Sequence, residues 1–285
     1  MENTHAKNLS FLLLGTLFVS TSGVLGRYIA LPAEAIIFCR ACLASFFMYV
    51  FCRFKKIDLK IKSKKDFYSF IISGFFMASH WVTYFMALKL SNVALGMLSM
   101  YTFPVITAFL EPFFSKQKIN PVHIFLAILV IIGMYILVPN FSLENTYLKG
   151  ILFGVLSAFF YALRNLTIKQ HVKDYNASML MYYQMVIIAT LLIPTLFFSD
   201  FSNLKSQIPL LLLVALLTTS VGHTMMVNAL KHFSASTASI ISSVQPIFGI
   251  IIAYFFVNEI PSFNTFIGGS LILSTVIIES IRSKK

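Results

Sequence analysis

The chain is 285 residues long, 58% hydrophobic and 11% charged, with a mean hydropathy of +0.84 and a formal net charge of +12. Soluble proteins carry about 25% charged residues, so composition excludes a soluble enzyme or a soluble binding domain. What remains is an all-α integral membrane protein, because stretches such as 208–227 are apolar around the whole helix.

Apolar runs of roughly 18–23 residues, the length that crosses a bilayer, recur ten times from the N-terminus. They are 9–30, 33–51, 67–88, 92–114, 122–138, 149–168, 177–198, 207–230, 234–257 and 263–281, numbered here as spans 1 to 10. Pro32, Pro121, Pro139 and Pro261 fall between spans, where proline ends a helix at little cost. The first run is long, has Lys7 as its one preceding lysine or arginine, and shows no small-residue cleavage site before Arg27. It is read as a span and not a signal peptide.

In span 2, Cys39 and Cys42 share a face at i, i+3, with Cys52 near the end of the run. A structural zinc takes four ligands, so these read as small packing residues, and no metal or other cofactor is expected. Arg40 lies about two turns inside the same span. It is expected to meet a solute carboxylate, to pair with Glu34 or another acid, or to act as a hydrogen-bond hub between helices. After span 2 comes a basic connection with Arg53, Lys55, Lys56, Lys60, Lys62, Lys64 and Lys65.

Along span 3, Met77, His80, Trp81, Tyr84 and Leu88 form a stripe at helical spacing that carries an imidazole, an indole and a phenol near mid-membrane. As a set these rings suit one wall of a cavity for a planar solute, and for each alone ordinary packing serves equally well. Span 4 contains Tyr101 and then Pro104, which releases the carbonyl of Met100 and bends the helix. Glu111 lies near the end of that span and reads as structural. In span 6, Arg164 is read as snorkelling to the nearby interface, with Asn165 turned toward a cavity. Span 8 brings His223, with Thr219 and Met226 on its stripe and Asn228 farther round. Histidine titrates near neutrality, so His80 and His223 are candidates for proton coupling, weighed against the commoner role of a buried hydrogen-bonding strut. Span 9 has Ser236, Ser239, Ser242, Ser243 and Gln245 on a small polar face before Pro246. The Gln245 amide needs partners at that depth.

The chain also repeats itself. A shift of 142 positions lays Ala87-Leu88-Lys89 on Ala229-Leu230-Lys231, Pro104 on Pro246 and Trp81 on His223. Two units follow, 1–142 and 143–285, and five spans per unit is an odd number, so the second unit is inverted. Most lysines and arginines, including Lys116, Lys118, Lys169, Lys173, Arg282, Lys284 and Lys285, fall on the side of the basic connection. The positive-inside rule then makes both termini cytoplasmic and places the loop around Glu144 outside. In a chain of this kind the charges meet anionic lipid of the bilayer, and no nucleic-acid partner is expected.

The repeated pattern resembles the EamA family of the drug/metabolite transporter superfamily. It consists of Ala87-Leu88-Lys89, Pro104-Val105 and Ala127…Gly133, answered by Ala229-Leu230-Lys231, Pro246-Ile247, Glu259 and Gly268…Thr275. The resemblance covers essentially the whole chain. It implies ten helices around a central cavity, residence in the plasma (bacterial inner) membrane, and transport of small metabolites, often export of amino acids or related solutes. One departure stands out: where the family often has a glutamate after helix 4, this chain has Gln117 and keeps the acid at Glu259, which assigns Glu259 a structural role. The expected partner is a small-molecule solute held by His80, Trp81, Tyr84, Tyr101, His223 and Gln245, with Arg40 and Asn165 next in line; a homodimer is left open. Uptake or exchange of a nucleoside-like or cofactor-like solute is the alternative. A lipid-modifying membrane enzyme is the rival class, disfavoured because no paired carboxylates, metal set or nucleophile–base spacing occurs at one depth. No Walker A loop is present, so energy has to come from a gradient, an exchange partner or downhill flux.

Overall fold

The computed structural model of the chain describes residues 2–115, 121–137, 144–233, 238 and 241–283. Gln117, Pro139, Ser236 and Ser239 lie outside the described residues, as do Lys116, Lys118, Lys284 and Lys285. The elements are α1 (Glu2–Tyr28), α2 (Ala33–Phe54), α3 (Lys64–Leu90), α4 (Val93–Met100), α5 (Phe103–Ser115), α6 (Pro121–Leu137), α7 (Thr146–Lys169), α8 (Ala177–Leu191), α9 (Thr195–Phe198) and α10 (Leu204–Leu213). A π-helical segment, Val214–His223, continues α10 and leads into α11 (Thr224–Ala229), followed by α12 (Gln245–Val257) and α13 (Phe263–Ser283).

Among the described residues every regular element is helical, as it must be where a spanning backbone has to satisfy its own hydrogen bonds. Seven helical runs among the described residues are long and apolar enough to cross a membrane, and three shorter apolar helices, Ile124–Leu137, Gln245–Val257 and Phe263–Ile278, accompany them. Helix starts are set by local chemistry. Ser63, Asn92, Asn145 and Asn176 each accept a backbone N–H of the first turn, those of Asp66, Leu95, Tyr147 and Ser178.

The apolar run of span 4 is broken rather than smoothly bent. α4 stops at Met100, Tyr101 and Thr102 make a turn, and Pro104 is the second residue of α5. Pro246 likewise stands second in α12. Proline is tolerated in a first turn because the N–H it lacks has no intrahelical partner there.

Packing joins elements far apart in sequence. α3 lies along α7, α2 along α8, α1 along the π segment and α12, and α4 against α7 and α12, while α6 pairs with α13. The last pair is very close: a Cβ built on Gly268 would stand 2.6 Å from the Gly133 carbonyl oxygen. Trp81, Arg40, Tyr101 and Phe85 are among the largest fully buried side chains, while Phe46, Phe54, Phe197 and Phe255 are exposed on the outside. A charged Arg40 inside and large apolar groups turned outward is the arrangement expected when the solvent is lipid.

Both ends are tied. At the end carrying the basic connection, Tyr175 donates to Asp66 (2.7 Å) and accepts the Lys62 N–H (2.9 Å), and His171 Nε2 is 2.7 Å from Ser69 Oγ. Burial lowers the His171 pKa from its ordinary value, opposed by the nearby Asp66 and Asp174 carboxylates. At the other end Arg27 Nε lies 3.3 Å from Glu259 Oε1, and Glu259 Oε2 accepts the Val93 N–H (2.8 Å) at the start of α4. Arg27 also donates to the Lys89 carbonyl (3.0 Å), and Lys89 Nζ donates to the Ile29 carbonyl.

Candidate functional site

A cavity of about 1000 Å³, counting its open mouth, lies among α1, α3, the α4–α5 turn, α5, α7, the π segment and α12. α3 contributes His80, Trp81 and Tyr84, which fall together because positions i, i+1 and i+4 occupy one side of a helix. Tyr101 comes from the turn before Pro104, His223 from the last residue of the π segment, and Gln245 from the first residue of α12. α7 adds Tyr161, Arg164 and Asn165 at i, i+3, i+4, with Lys169 one turn farther toward the basic end. Seven of the eight candidate site residues therefore line a single space. The eighth, Arg40, does not.

The walls are largely aromatic. Trp81 and His223, equivalent under the 142-residue shift, touch with ring centroids 5.3 Å apart. Tyr161 packs on His80 at 4.5 Å and edge-on against Phe103 at 4.8 Å. Tyr101 shares its hydroxyl between the Ser242 carbonyl (2.5 Å) and Gln245 Oε1 (2.9 Å), which gives that buried amide the partner its depth requires. His80 Nδ1 contacts the Ser157 carbonyl (3.1 Å) and hydroxyl (2.7 Å), and Ser157 Oγ donates back to the His80 carbonyl. A carbonyl only accepts, so the geometry puts the proton on Nδ1. His80 is thereby arranged as a strut between α3 and α7.

Arg40, fully buried, lies behind the wall. Its guanidinium stacks 3.9 Å from the Trp81 ring centroid and donates to Thr219 (2.5 Å), Ser22 (3.1 Å) and Thr218 (3.1 Å). The pairing with Glu34 is not made: Glu34 accepts from Ser199 instead (3.0 Å). Thr219 faces Arg40 and not the cavity. The reading of Arg164 as a snorkelling residue also needs correction, since its side chain turns inward. It is 2% exposed and donates to Gln184 (2.7 Å) and Asn165 (3.0 Å). Its partner is 20 residues away on another helix, so no local pattern announced it, although the 161, 164, 165 spacing was visible. The π segment left no sequence signal.

A family model described as the EamA-like transporter family matches residues 7–138 and again 148–281. An uncharacterized transporter, YxxF, of Bacillus subtilis (strain 168) is 26% identical over 269 residues, which is 91% of this chain and 85% of that protein. The pseudopaline exporter CntI of Pseudomonas aeruginosa (strain UCBPP-PA14) is 26% identical over 256 residues, 90% of this chain and 88% of the exporter. A solved crystal structure superposes with a TM-score of 0.71 over 98% of both chains at 14% identity, a likeness of fold.

Proposed function

Because the chain belongs to the EamA-like transporter family, we propose that it is a secondary transporter that exports small, amino-acid-like metabolites by alternating access between two inverted five-helix halves. The observation that carries this reading is a cavity to which both units contribute, with His80, Trp81, Tyr84 and Tyr101 from the first and Asn165, His223 and Gln245 from the second. Sites between repeats are where rocking halves expose a solute to either side in turn.

Several features support the inverted arrangement. The family model matches twice. Among the described residues, seven long spans and three shorter apolar helices equal in number the ten crossings this reading requires. Exchanging each span with its equivalent five later turns the α3–α7 pairing into that of the π segment with α1, and leaves α2–α8 and α6–α13 as pairs of equivalents. Export draws support from the relative described as a pseudopaline exporter, and the lysine asymmetry supports a plasma membrane protein with both termini cytoplasmic. The ring-lined walls also suit uptake or exchange of a nucleoside-like or cofactor-like solute. The relatives are transporters, which weighs against the lipid-modifying enzyme.

The test is solute movement in proteoliposomes. Transport without covalent change is expected, and Trp81→Ala should weaken solute binding by roughly 1–3 kcal/mol, the scale of a lost stacking contact in a desolvated site. Product formation in detergent, or full transport by folded Trp81→Ala protein, would refute the proposal.

A further inference from the structure

One ionisable cluster lies away from the cavity, at the end carrying the basic connection. It joins the α2–α3 connection and the start of α3, in the first segment matched by the family, to the α7–α8 connection in the second. His171 is at its centre, 7% exposed. Its Nε2 is 2.7 Å from Ser69 Oγ, while its Nδ1 is 3.7 Å from Asp66 Oδ1, beyond hydrogen-bond reach. The buried Phe70 ring caps the imidazole edge-on, with centroids 5.2 Å apart, and packs in turn on Tyr175 and on Tyr183 of α8.

The charged and titratable groups around His171 are Asp66 and Lys65 from α3, Asp174 and Tyr175 from its own connection, Lys62 from the basic connection and Tyr183 from α8. Lys62 Nζ donates to the Asp174 carbonyl (2.8 Å) and stands 5.1 Å from the Tyr175 ring centroid. Tyr183 donates to the Leu59 carbonyl (2.7 Å). The other oxygen of Asp66 accepts from Tyr175 (2.7 Å), so this carboxylate is held elsewhere. Burial therefore outweighs the Asp66 and Asp174 carboxylates and keeps the His171 pKa below its ordinary value.

The other half of the repeat closes the equivalent joint without such groups. The 142-residue shift sets Asp66 on Ile208, Ser69 on Leu211, His171 on Ile29 and Tyr175 on Ala33. There Leu211, Ile29 and Ala33 are buried, and Gln207 accepts the Ala30 N–H (3.1 Å). Apolar packing serves one joint; an imidazole that titrates near neutrality has been built into the other. In the closed joint the ring is kept neutral by burial, and in an opened joint it returns to water and its ordinary pKa of 6.5. The opened form thus binds the proton more readily, so the stability that the neutral ring gives is complete above about pH 6.5 and is lost as the pH falls below it.

We propose that the His171 joint is a pH-responsive fastening between the two halves, which holds α3 to the α7–α8 connection near neutrality and loosens when the medium on the basic-connection side is acidified. Segments that two halves share are where such a local charge change biases their relative position. The fastening stands independently of the transporter reading and of what the cavity carries.

Amide hydrogen exchange of the full chain in detergent, corrected for its intrinsic pH dependence, reads the joint directly, because the Tyr175 hydroxyl accepts the Lys62 N–H (2.9 Å). Between about pH 7.5 and about pH 5.5, exchange in peptides covering 60–70 and 171–176 is expected to rise by up to about tenfold, the gain in proton occupancy of an imidazole opened to water. His171→Gln should remove the rise. Asp66→Asn keeps an acceptor for Tyr175 and takes away the charge that favours the proton in the closed joint, so it should enlarge the rise. A histidine with a purely structural role would, on replacement, speed exchange equally at every pH. No rise in the wild type, an equal rise in His171→Gln, or a rise abolished in Asp66→Asn, which would make Asp66 the titrating group, would overturn the proposal. The wild-type and Asp66→Asn responses decide the point even where His171→Gln does not fold.

Discussion

Trp81 is held from two sides, by the Arg40 guanidinium 3.9 Å from its centroid and by the His223 ring 5.3 Å away. Arg40 in turn ties α2 to α1 through Ser22 and to the π segment through Thr218 and Thr219. A buried lysine cannot reproduce this, because an ammonium has no planar face to stack and reaches three hydroxyls in a different geometry. Arg40→Lys is therefore expected to lower stability by about 2–3 kcal/mol, the scale of losing a charge-assisted hydrogen bond or two in the interior. Arg53→Lys, at an exposed position of the same helix, should stay within about 0.5 kcal/mol. Thermal unfolding in detergent, followed by Trp81 emission, compares them; equal melting temperatures would show that Arg40 is not a hub. The sequence placed this arginine at depth, and depth alone made it notable. That its partners are hydroxyls was not legible, since Ser22, Thr218 and Thr219 are ordinary helix residues until a tertiary fold brings them together.

Among the elements, periodicity made the spans readable and proline made the breaks readable, while helix contacts were beyond both. Ring spacing on α3 identified a wall because helical geometry fixes which side chains share a face. The π segment was hidden, because one extra residue per turn leaves composition unchanged. Its mark is in the hydrogen bonds, where Thr219 and Ser220 hydroxyls reach back five residues to Val214 and Ala215. π-bulges often occur at functional sites, and this one ends at His223 in the cavity wall. Close approach of α6 and α13 makes a sharper test. At Gly268 an added Cβ would meet the Gly133 carbonyl oxygen at 2.6 Å and the Leu137 side chain at 3.0 Å. Backbone cannot swing aside as a flexible side chain can, so Gly268→Val should force the pair apart and cost roughly 1–3 kcal/mol, as overpacking does. Gly15→Ala adds a single methyl, which would meet Met225 Cβ at 2.9 Å and the Gly222 carbonyl at 3.4 Å; with a smaller side chain and a wider gap to the backbone it should cost less. Unfolding midpoints rank the two substitutions, and the reverse order would mean that α6 and α13 separate freely.

At the level of the whole molecule, the 142-residue shift was the most legible feature, because a repeat survives in sequence even where contacts cannot be read. It placed Trp81 opposite His223 and Pro104 opposite Pro246, and the first pair touches. The sidedness read from the lysine asymmetry is testable directly: Ser63→Cys should label with membrane-impermeant reagent only after the cytoplasmic face is exposed. What the repeat did not reveal is how differently the two ends are fastened. Arg27, Glu259 and the Val93 N–H close the end opposite the basic connection, while the cavity runs toward Lys169 at the basic end. The shift carries Arg27 onto Lys169, which here pairs with Glu111. If the halves rock, the Arg27–Glu259 contact has to break for the closed end to open. Glu259→Gln keeps an acceptor for Val93 and removes only the charge. The pair is partly exposed, at 35% and 20% of the side chains, so screening limits its contribution to about 1 kcal/mol or less. That corresponds to a shift of roughly twofold to fivefold in the ratio of states. Met97, buried against Gly23 and Gly249, is the reporter: in a background lacking Cys39, Cys42 and Cys52, Met97→Cys should react with impermeant maleimide from that end about twofold to fivefold faster when Glu259→Gln is added. An unchanged rate, with transport intact, would mean that the contact fastens a loop and has no part in opening.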